Sequence, residues 1–200
     1  MPEAGAEGCR IDPDPDPDAC AVLLAAAFAR EPAVSWICAG SATVRTHWFR
    51  ATLRTHADLD GARRTALVGA DGRLLAAAVL TPPGATPAVD ARALWAARTG
   101  LRCGRRALVR TLRYLDITDG GAPPGAWTLE FVGVRPDQTG RGAGRLLLDH
   151  VLAATPAPHG VYLTTADPAN VPLYRRFGFA ALRETPLGPL TVTSMIRAEK

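Results

Sequence analysis

Residues 127–154, WTLEFVGVRPDQTGRGAGRLLLDHVLAA, decide the fold, because they place a strand, a glycine-rich loop and a helix in direct succession. The stretch from Trp127 to Val134 is rich in aromatic and β-branched residues, which favour a strand. Gly140, Gly142 and Gly144 mark the loop. The apolar residues that follow predict an amphipathic helix: Leu146, Leu147, Leu148, Val151 and Leu152.

The glycine loop, defined as residues 140–145, has the features of an anion site. Glycines remove side chains where a ligand must approach the backbone, and free amides at the start of a helix favour an anion such as pyrophosphate. No Lys-Ser or Lys-Thr pair follows the glycines, as a Walker loop requires, and the spacing differs from the dinucleotide-binding fingerprint. A tight strand-to-helix turn without a ligand has the same composition, so both interpretations stay open at this point.

The composition predicts one compact globular domain. The chain has 200 residues, of which 48% are hydrophobic and 21% charged. The net charge of +4 allows an anionic ligand, but all except one of the 23 basic residues are arginine, which indicates codon bias more than a nucleic-acid surface. The four cysteines form no CxxC pair, so neither a zinc site nor a disulfide framework is indicated.

The sequence predicts a cytoplasmic protein. Its acidic, proline-rich start is unlike a signal peptide, and no window reaches the roughly 18 apolar residues of a membrane span. We therefore expect no membrane association and no nucleic-acid partner. A monomer and a homodimer are both compatible with the sequence.

Outward from the glycine loop, periodicity and turn residues predict the remaining elements. Asp18 is the expected N-cap of a first helix that begins near Ala19. Leu101, Leu108, Leu112 and Leu115 predict the buried stripe of a later helix, whose arginines at 102, 105, 106, 110 and 113 would be solvated. The other predicted elements are a helix at 43–56, a hairpin at 65–80 around Asp71-Gly72, two helices within 88–117 divided near Gly100 to Gly104, a strand at 161–165, a short helix ending at Phe177, and a hairpin at 180–197.

A second motif completes a family signature. Residues 170–179, NVPLYRRFGF, together with the strand and loop at 132–147, resemble the acyl-CoA-binding signature of the GNAT superfamily of N-acetyltransferases. The resemblance implies an α/β (α+β) single domain with a mixed, mostly antiparallel sheet flanked by helices. Its fourth and fifth strands, 129–134 and 161–165, would splay apart. We assign residues 1–17 to an extended lead-in and 18–200 to the N-acetyltransferase domain.

The resemblance also implies acetyl-CoA as co-substrate. The amides of the glycine loop would hold the pyrophosphate, with Arg141 and Arg145 neutralising its charge, while the backbone of 132–134 would pair with pantetheine and Asn170 would bind the same arm. Thr139 departs from the Gln or Arg that usually opens the loop. The implied cofactor-binding residues are Val132, Gly133, Val134, Thr139, Gly140, Arg141, Gly142, Ala143, Gly144, Arg145 and Asn170.

Two residues are candidates for the chemistry. Glu130, the one acidic residue of its strand, would accept the amine proton, and strict alternation predicts that it shares a face with Val132 and Val134. A solvated strand glutamate is the alternative. The resemblance implies that Tyr174, one helical turn after Asn170, donates to the departing thiolate, with plain core packing as its alternative. Direct attack in a ternary complex requires neither a covalent intermediate nor a metal.

Only a further resemblance in sequence limits the class of acceptor. The helical segment at 88–117, the PPGAW lead-in at 123–127 and the closing motif resemble antibiotic-modifying acetyltransferases of the puromycin-resistance type. This implies a small amine, such as an antibiotic or a toxic metabolite. Four aromatic side chains would either line its pocket or fill the core: Phe28, Trp36, Trp48 and Trp95. The alternatives are peptide or protein N-acetylation, an acyl-CoA-binding module without catalysis, and nucleic-acid binding through the arginine-bearing helix.

Overall fold

The computed structural model describes residues 8–118 and 120–198, which form one seven-stranded sheet with helices on both faces. The strands lie in the order β1-β2-β3-β4-β5-β7-β6. The strands are β1 (Arg10–Asp12), β2 (Arg63–Val68), β3 (Leu74–Thr81), β4 (Trp127–Val134), β5 (Val161–Thr165), β6 (Ala180–Leu187) and β7 (Leu190–Arg197). The helices are α1 (Pro17–Ala27), α2 (Pro32–Ile37), α3 (Ala42–Ala57), α4 (Val89–Thr118), α5 (Ala143–Ala154) and α6 (Asn170–Arg176).

The sheet opens between β4 and β5, as the sequence predicted. All neighbouring strands are antiparallel except this pair, which is parallel and is joined only over Trp127–Leu129 and Val161–Leu163. Beyond Leu129 and Leu163 both strands continue without pairing to each other. The resulting gap, called the β4/β5 cleft below, leaves backbone groups in the middle of the sheet available to a ligand.

Two apolar cores lie on opposite faces of the sheet. On one face α5 buries Leu147, Leu148 and Val151 against residues of β3, β4 and β5. On the other, α1 and α3 bury a second set with Ala77 and Val79 of β3. Strands β3 and β4 therefore contribute to the cores on both faces of the sheet, and burial of apolar surface stabilises them at about 25 cal/mol per Å². Within the described residues, no helix is long and apolar enough to cross a membrane.

The N-terminal segment differs from the prediction in two ways. Residues 10–12, placed in the extended lead-in, are extended but pair with β2 as an edge strand; residues 1–7 of that lead-in lie outside the described part. The predicted cap at Asp18 is wrong, because Asp16 caps α1 by accepting from Ala19 N at 2.7 Å. Pro17 can occupy the first helical position since its missing N–H is not needed there. Asp18 instead pairs with Arg54 at 2.7 Å.

Helix α4 breaks where the sequence predicted, at Gly104 with φ +84°, but its buried face is different. Leu101 is 86% exposed and Leu112 47%, whereas the small residues Thr99, Ala107 and Thr111 are buried. The predicted leucine stripe is therefore wrong at Leu101 and Leu112, while Leu108 and Leu115 are half-buried. Small side chains let α4 approach α3 closely, and the Trp48 indole donates to Thr111 Oγ1 at 2.9 Å across that contact. Trp48 is thus a core residue.

Candidate active site

The glycine loop forms an open concave backbone at the start of α5. Gly140 and Gly142 have φ values of +78° and +83°, and a Cβ added to either would meet nothing within 4 Å. Gly142 is the N-cap of α5 and no side chain caps the helix. The amides of Ala143, Gly144 and Arg145 lie in the first turn, where a helix has no acceptor of its own. The loop therefore presents free donors and a positive helix end to an anion.

Three arginines lie in or next to the glycine loop, and two of them have an acidic partner. Arg135 Nε donates to Asp137 Oδ1 at 2.6 Å, which fixes the turn of Pro136–Gln138 that precedes the loop. Arg145 lies 3.6 Å from Asp149 one turn along α5, and its side chain is 74% exposed. An exposed pair of this kind contributes little and leaves the guanidinium free to turn toward a phosphate. Arg141, on the loop itself, and Thr139, just before it, are both exposed.

Strand β4 directs its unpaired backbone groups into the β4/β5 cleft. Arg135 N donates to Leu75 O at 2.8 Å, and Gly133 lies opposite Ala77 in the same register, so the backbones of Arg135 and Gly133 face β3. Successive residues of a strand point their backbone groups to opposite edges. The N–H and C=O groups of Val132 and Val134 therefore face the cleft, where an extended amide chain can pair with them.

Two glycines of the predicted binding set are required by packing. A Cβ on Gly133 would lie 2.8 Å from Leu24 Cδ2 and 2.9 Å from Ala27 Cβ, so this glycine lets α1 contact β4. A Cβ on Gly144 would lie 2.8 Å from Val134 Cγ2, so this one lets α5 contact the same strand. Gly133 also has its backbone turned to β3, which separates it from the other predicted ligand residues.

Glu130 lies on a β-bulge, and the predicted face of its side chain is wrong. Leu129 pairs with Leu80 and Phe131 with Val79, so Glu130 is an extra residue in β4. The extra residue interrupts strict alternation. Val132 and Val134 pack on the core beneath α5, whereas Glu130 Oε1 accepts from Thr81 Oγ1 at 2.7 Å on the opposite face, with Phe131. Its carboxylate is exposed at the point where β4 and β5 separate.

Helix α6 brings the second motif to the other side of the cleft. Asn170 Nδ2 donates to Thr165 Oγ1 at 3.5 Å, next to the end of β5. The ring of Tyr174 meets that of Phe179 edge-on at 5.7 Å. Burial raises the pKa of Tyr174 to about 12, and the negative charge of Glu31 acts in the same direction. The phenol thus keeps its proton at neutral pH, as a proton donor must.

Sequence reasoning missed Glu31, Tyr114 and Thr164. Tyr114, from α4, and Thr164, from β5, bring their side-chain oxygens within 3.1 Å of each other. Glu31 caps α2 and acts electrostatically on both Tyr114 and Tyr174. The Glu31-Pro32 pair carries a recognisable helix-start signal. Tyr114 has no such local signal, because its position depends on the fold of α4.

These residues fit a pantetheine-bearing phosphoanhydride. The open glycine loop fits the anionic end, and the unpaired groups of Val132 and Val134 fit the amide-bearing arm. Among residues 8–118 and 120–198, no group of three or more His, Cys, Asp or Glu is arranged to hold a metal ion.

The sequence profile of the acetyltransferase (GNAT) family matches residues 35–179, well over half of the chain. The chain belongs to this family. Its members are acetyltransferases that use acetyl-CoA, so the β4/β5 cleft is the candidate active site of an acyltransferase.

Solved structures agree with this fold. A Corynebacterium glutamicum protein described as histone acetyltransferase HPA2 and related acetyltransferase has a TM-score of 0.68 at 20% identity, over 96% of this chain and 97% of that one. Arylalkylamine N-acetyltransferase 2 of Aedes aegypti has a TM-score of 0.58 at 11% identity, over 95% of this chain and 98% of that one. The ribosomal-protein-S18-alanine N-acetyltransferase of Escherichia coli has a TM-score of 0.54 at 16% identity, over 96% of each chain. The three are named for different acceptors, so their likeness shows the GNAT fold alone.

Proposed function

We propose that this GNAT enzyme transfers the acetyl group of acetyl-CoA to a primary amine of a small molecule, by direct attack in a ternary complex. One observation carries the proposal: the open glycine loop at the start of α5 adjoins the edge of β4 that is left unpaired at the β4/β5 cleft. Tyr174, on the helix that follows β5, is the proposed proton donor. The three supply an anion site, a track for an extended amide chain and a proton donor.

Each group has a role in binding or proton transfer. The amides of the glycine loop, with Arg141 and Arg145, bind the pyrophosphate. Val132 and Val134 pair with the pantetheine arm and orient the thioester oxygen, and Asn170 binds the same arm from α6. Acetyl-CoA, when bound, supplies the thioester that reacts.

Two side chains handle the protons. Glu130 accepts the proton of the attacking amine, directly or through water, and Tyr174 donates its proton to the departing sulfur. One C–N bond forms as one C–S bond breaks. The ammonium form of the acceptor first loses one proton to Glu130, and the neutral amine then attacks. The second proton, released from the nitrogen as the amide forms, replaces the one that Tyr174 gives to the sulfur.

Helix α2 and the β6–β7 hairpin pack together beside the end of β5. Ala33 of α2, Ala166 after β5 and Val192 of β7 are buried together, and Tyr114 and Leu190 are half-buried against them. The tip of the β6–β7 hairpin reaches α2 as well, since a Cβ on Gly188 would lie 3.9 Å from the Trp36 ring. A peptide or protein acceptor would favour a shallow groove lined by acids. An amine antibiotic or toxic metabolite is the acceptor class that the sequence resemblance supports.

The cellular setting is part of the proposal. The four cysteines are free, with Cys20 and Cys38 buried, which fits the reducing cytoplasm. The enzyme would act there as a monomer or a homodimer, on a soluble acceptor.

The test combines binding and turnover. Isothermal titration should show acetyl-CoA binding, and release of free thiol should appear with at least one member of a panel of amine antibiotics, polyamines, amino acids and peptides. Absence of acetyl-CoA binding would refute the proposal. Binding without thiol release from any amine would support a non-catalytic acyl-CoA-binding module, and turnover restricted to peptides would support peptide N-acetylation.

A further inference from the structure

Thr165 ends strand β5, beyond Leu163, where the pairing of β5 with β4 stops. The residue is only 6% exposed, and it pairs with Thr193 of β7, which fixes its place in the sheet. Its hydroxyl contacts the segment that connects β5 to α6, at Asp167 and at Asn170. A residue held by the sheet therefore contacts the side chain that opens α6.

The Thr165 hydroxyl uses its full hydrogen-bonding capacity within this segment. Oγ1 donates to Asp167 O at 3.4 Å, accepts from Asp167 N at 3.2 Å and accepts from Asn170 Nδ2 at 3.5 Å. A hydroxyl has one donor and two acceptor lone pairs, so all of them are engaged. Because its proton is directed to Asp167 O, this oxygen can only accept from the Asn170 amide.

These contacts orient the Asn170 side chain. An asparagine amide has a donor end, Nδ2, and an acceptor end, Oδ1, and an accepting Thr165 Oγ1 selects the donor end. Oδ1 is therefore turned away from Thr165, as the end that can receive an N–H group. The backbone of the segment is held as well, since Asn170 N donates to Asp167 O and Ala169 N donates to Asp167 Oδ1, both at 3.0 Å.

We infer that Thr165 is a positioning residue for the co-substrate, which holds Asn170 with Oδ1 ready to accept from an amide N–H of the pantetheine arm. This inference rests on the proposed function, in which Asn170 binds that arm. Without the Thr165 hydroxyl the Asn170 amide is free to rotate, and ordering it on binding lowers the affinity.

The experiment measures CoA affinity by isothermal titration calorimetry. Thr165→Val keeps the shape of the side chain and should weaken CoA binding by about 3- to 10-fold, as the loss of one neutral hydrogen bond would. Thr165→Ser keeps the hydroxyl and should bind CoA as the wild type does. Thr155→Val is the matched control, because it also removes a buried hydroxyl, one that donates to Val151 O at the C-terminus of α5, and it should keep the wild-type affinity.

A double-mutant cycle separates positioning from a general effect on the fold. Asn170→Ala should weaken CoA binding by a similar factor, and Thr165→Val should then cause no further loss in the Asn170→Ala background. Thr165→Ala takes the place of Thr165→Val in this cycle if the valine variant does not fold. Unchanged CoA affinity in either single variant, or a further loss in the double variant, would overturn the inference. The proposed function fails by a different result, the absence of acetyl-CoA binding to the wild type.

Discussion

His56 should make folding stability depend on pH. It lies near the end of α3 and is only 7% exposed, and neither imidazole nitrogen has a hydrogen-bond partner among the described residues. Burial, and then the positive charge of Arg64, lower the pKa of His56 from 6.5 to about 4. The folded protein therefore holds this imidazole neutral in a pH range where the unfolded chain protonates it.

The sign and size follow from proton linkage. As the pH falls below 6.5, His56 becomes protonated in the unfolded state but stays neutral in the folded state down to about pH 4. The free energy of unfolding therefore decreases as the pH falls through this window. With these two pKa values, His56 costs about 2 kcal/mol of unfolding free energy between pH 7 and pH 5. The loss is complete only below the folded-state pKa.

Urea unfolding at pH 7 and pH 5 measures this loss. His56→Gln removes the titrating group, so its decrease in unfolding free energy between the two pH values should be smaller than that of the wild type by about 2 kcal/mol. His150→Gln, on the exposed surface of α5, should behave as the wild type. An equal decrease in the wild type and His56→Gln would refute the reasoning.

Three further substitutions test the cleft. Gly142→Val should abolish acetyl-CoA binding in calorimetry, because a β-branched residue strains a backbone at φ +83°. Gly72→Val is the control, since it imposes similar strain at φ +76° in the β2–β3 turn and should keep the wild-type affinity for acetyl-CoA. Retained binding by Gly142→Val would contradict the pyrophosphate assignment. Tyr174→Phe should lower kcat by about 10²- to 10⁴-fold with acetyl-CoA affinity nearly unchanged, and an unchanged kcat would exclude the acid role. Glu130→Gln should alter the acid limb of the kcat/KM pH profile; an unaltered profile assigns the base elsewhere.

Local signals were sufficient to predict much of the architecture. The Asp71-Gly72 turn produced the β2–β3 hairpin, where Asp71 Oδ1 accepts from Arg73 N at 3.0 Å. The glycine loop opened α5, and Gly104 broke α4. Each of these depends on the conformational needs of a few adjacent residues, which the sequence displays directly.

The errors share a different cause. The face of Glu130 depends on the register of β3, which the sequence of β4 does not contain. The buried face of α4 depends on how closely α3 approaches small residues such as Ala107. Glu31 and Tyr114 lie far apart in sequence, and their electrostatic influence on Tyr174 depends on tertiary packing, so no motif could join them to it.

The bulge in β4 places the proposed proton acceptor outside the pairing of β4 with β3. Glu130 has no residue opposite it in β3, and its side chain is exposed, while the neighbours Leu129 and Phe131 pack on opposite cores. A change at this position alters no ladder pairing. The effect of exchanging the proposed proton acceptor on the free energy of folding therefore comes from its side-chain contacts, of which the hydrogen bond from Thr81 is one, and not from the strand ladder.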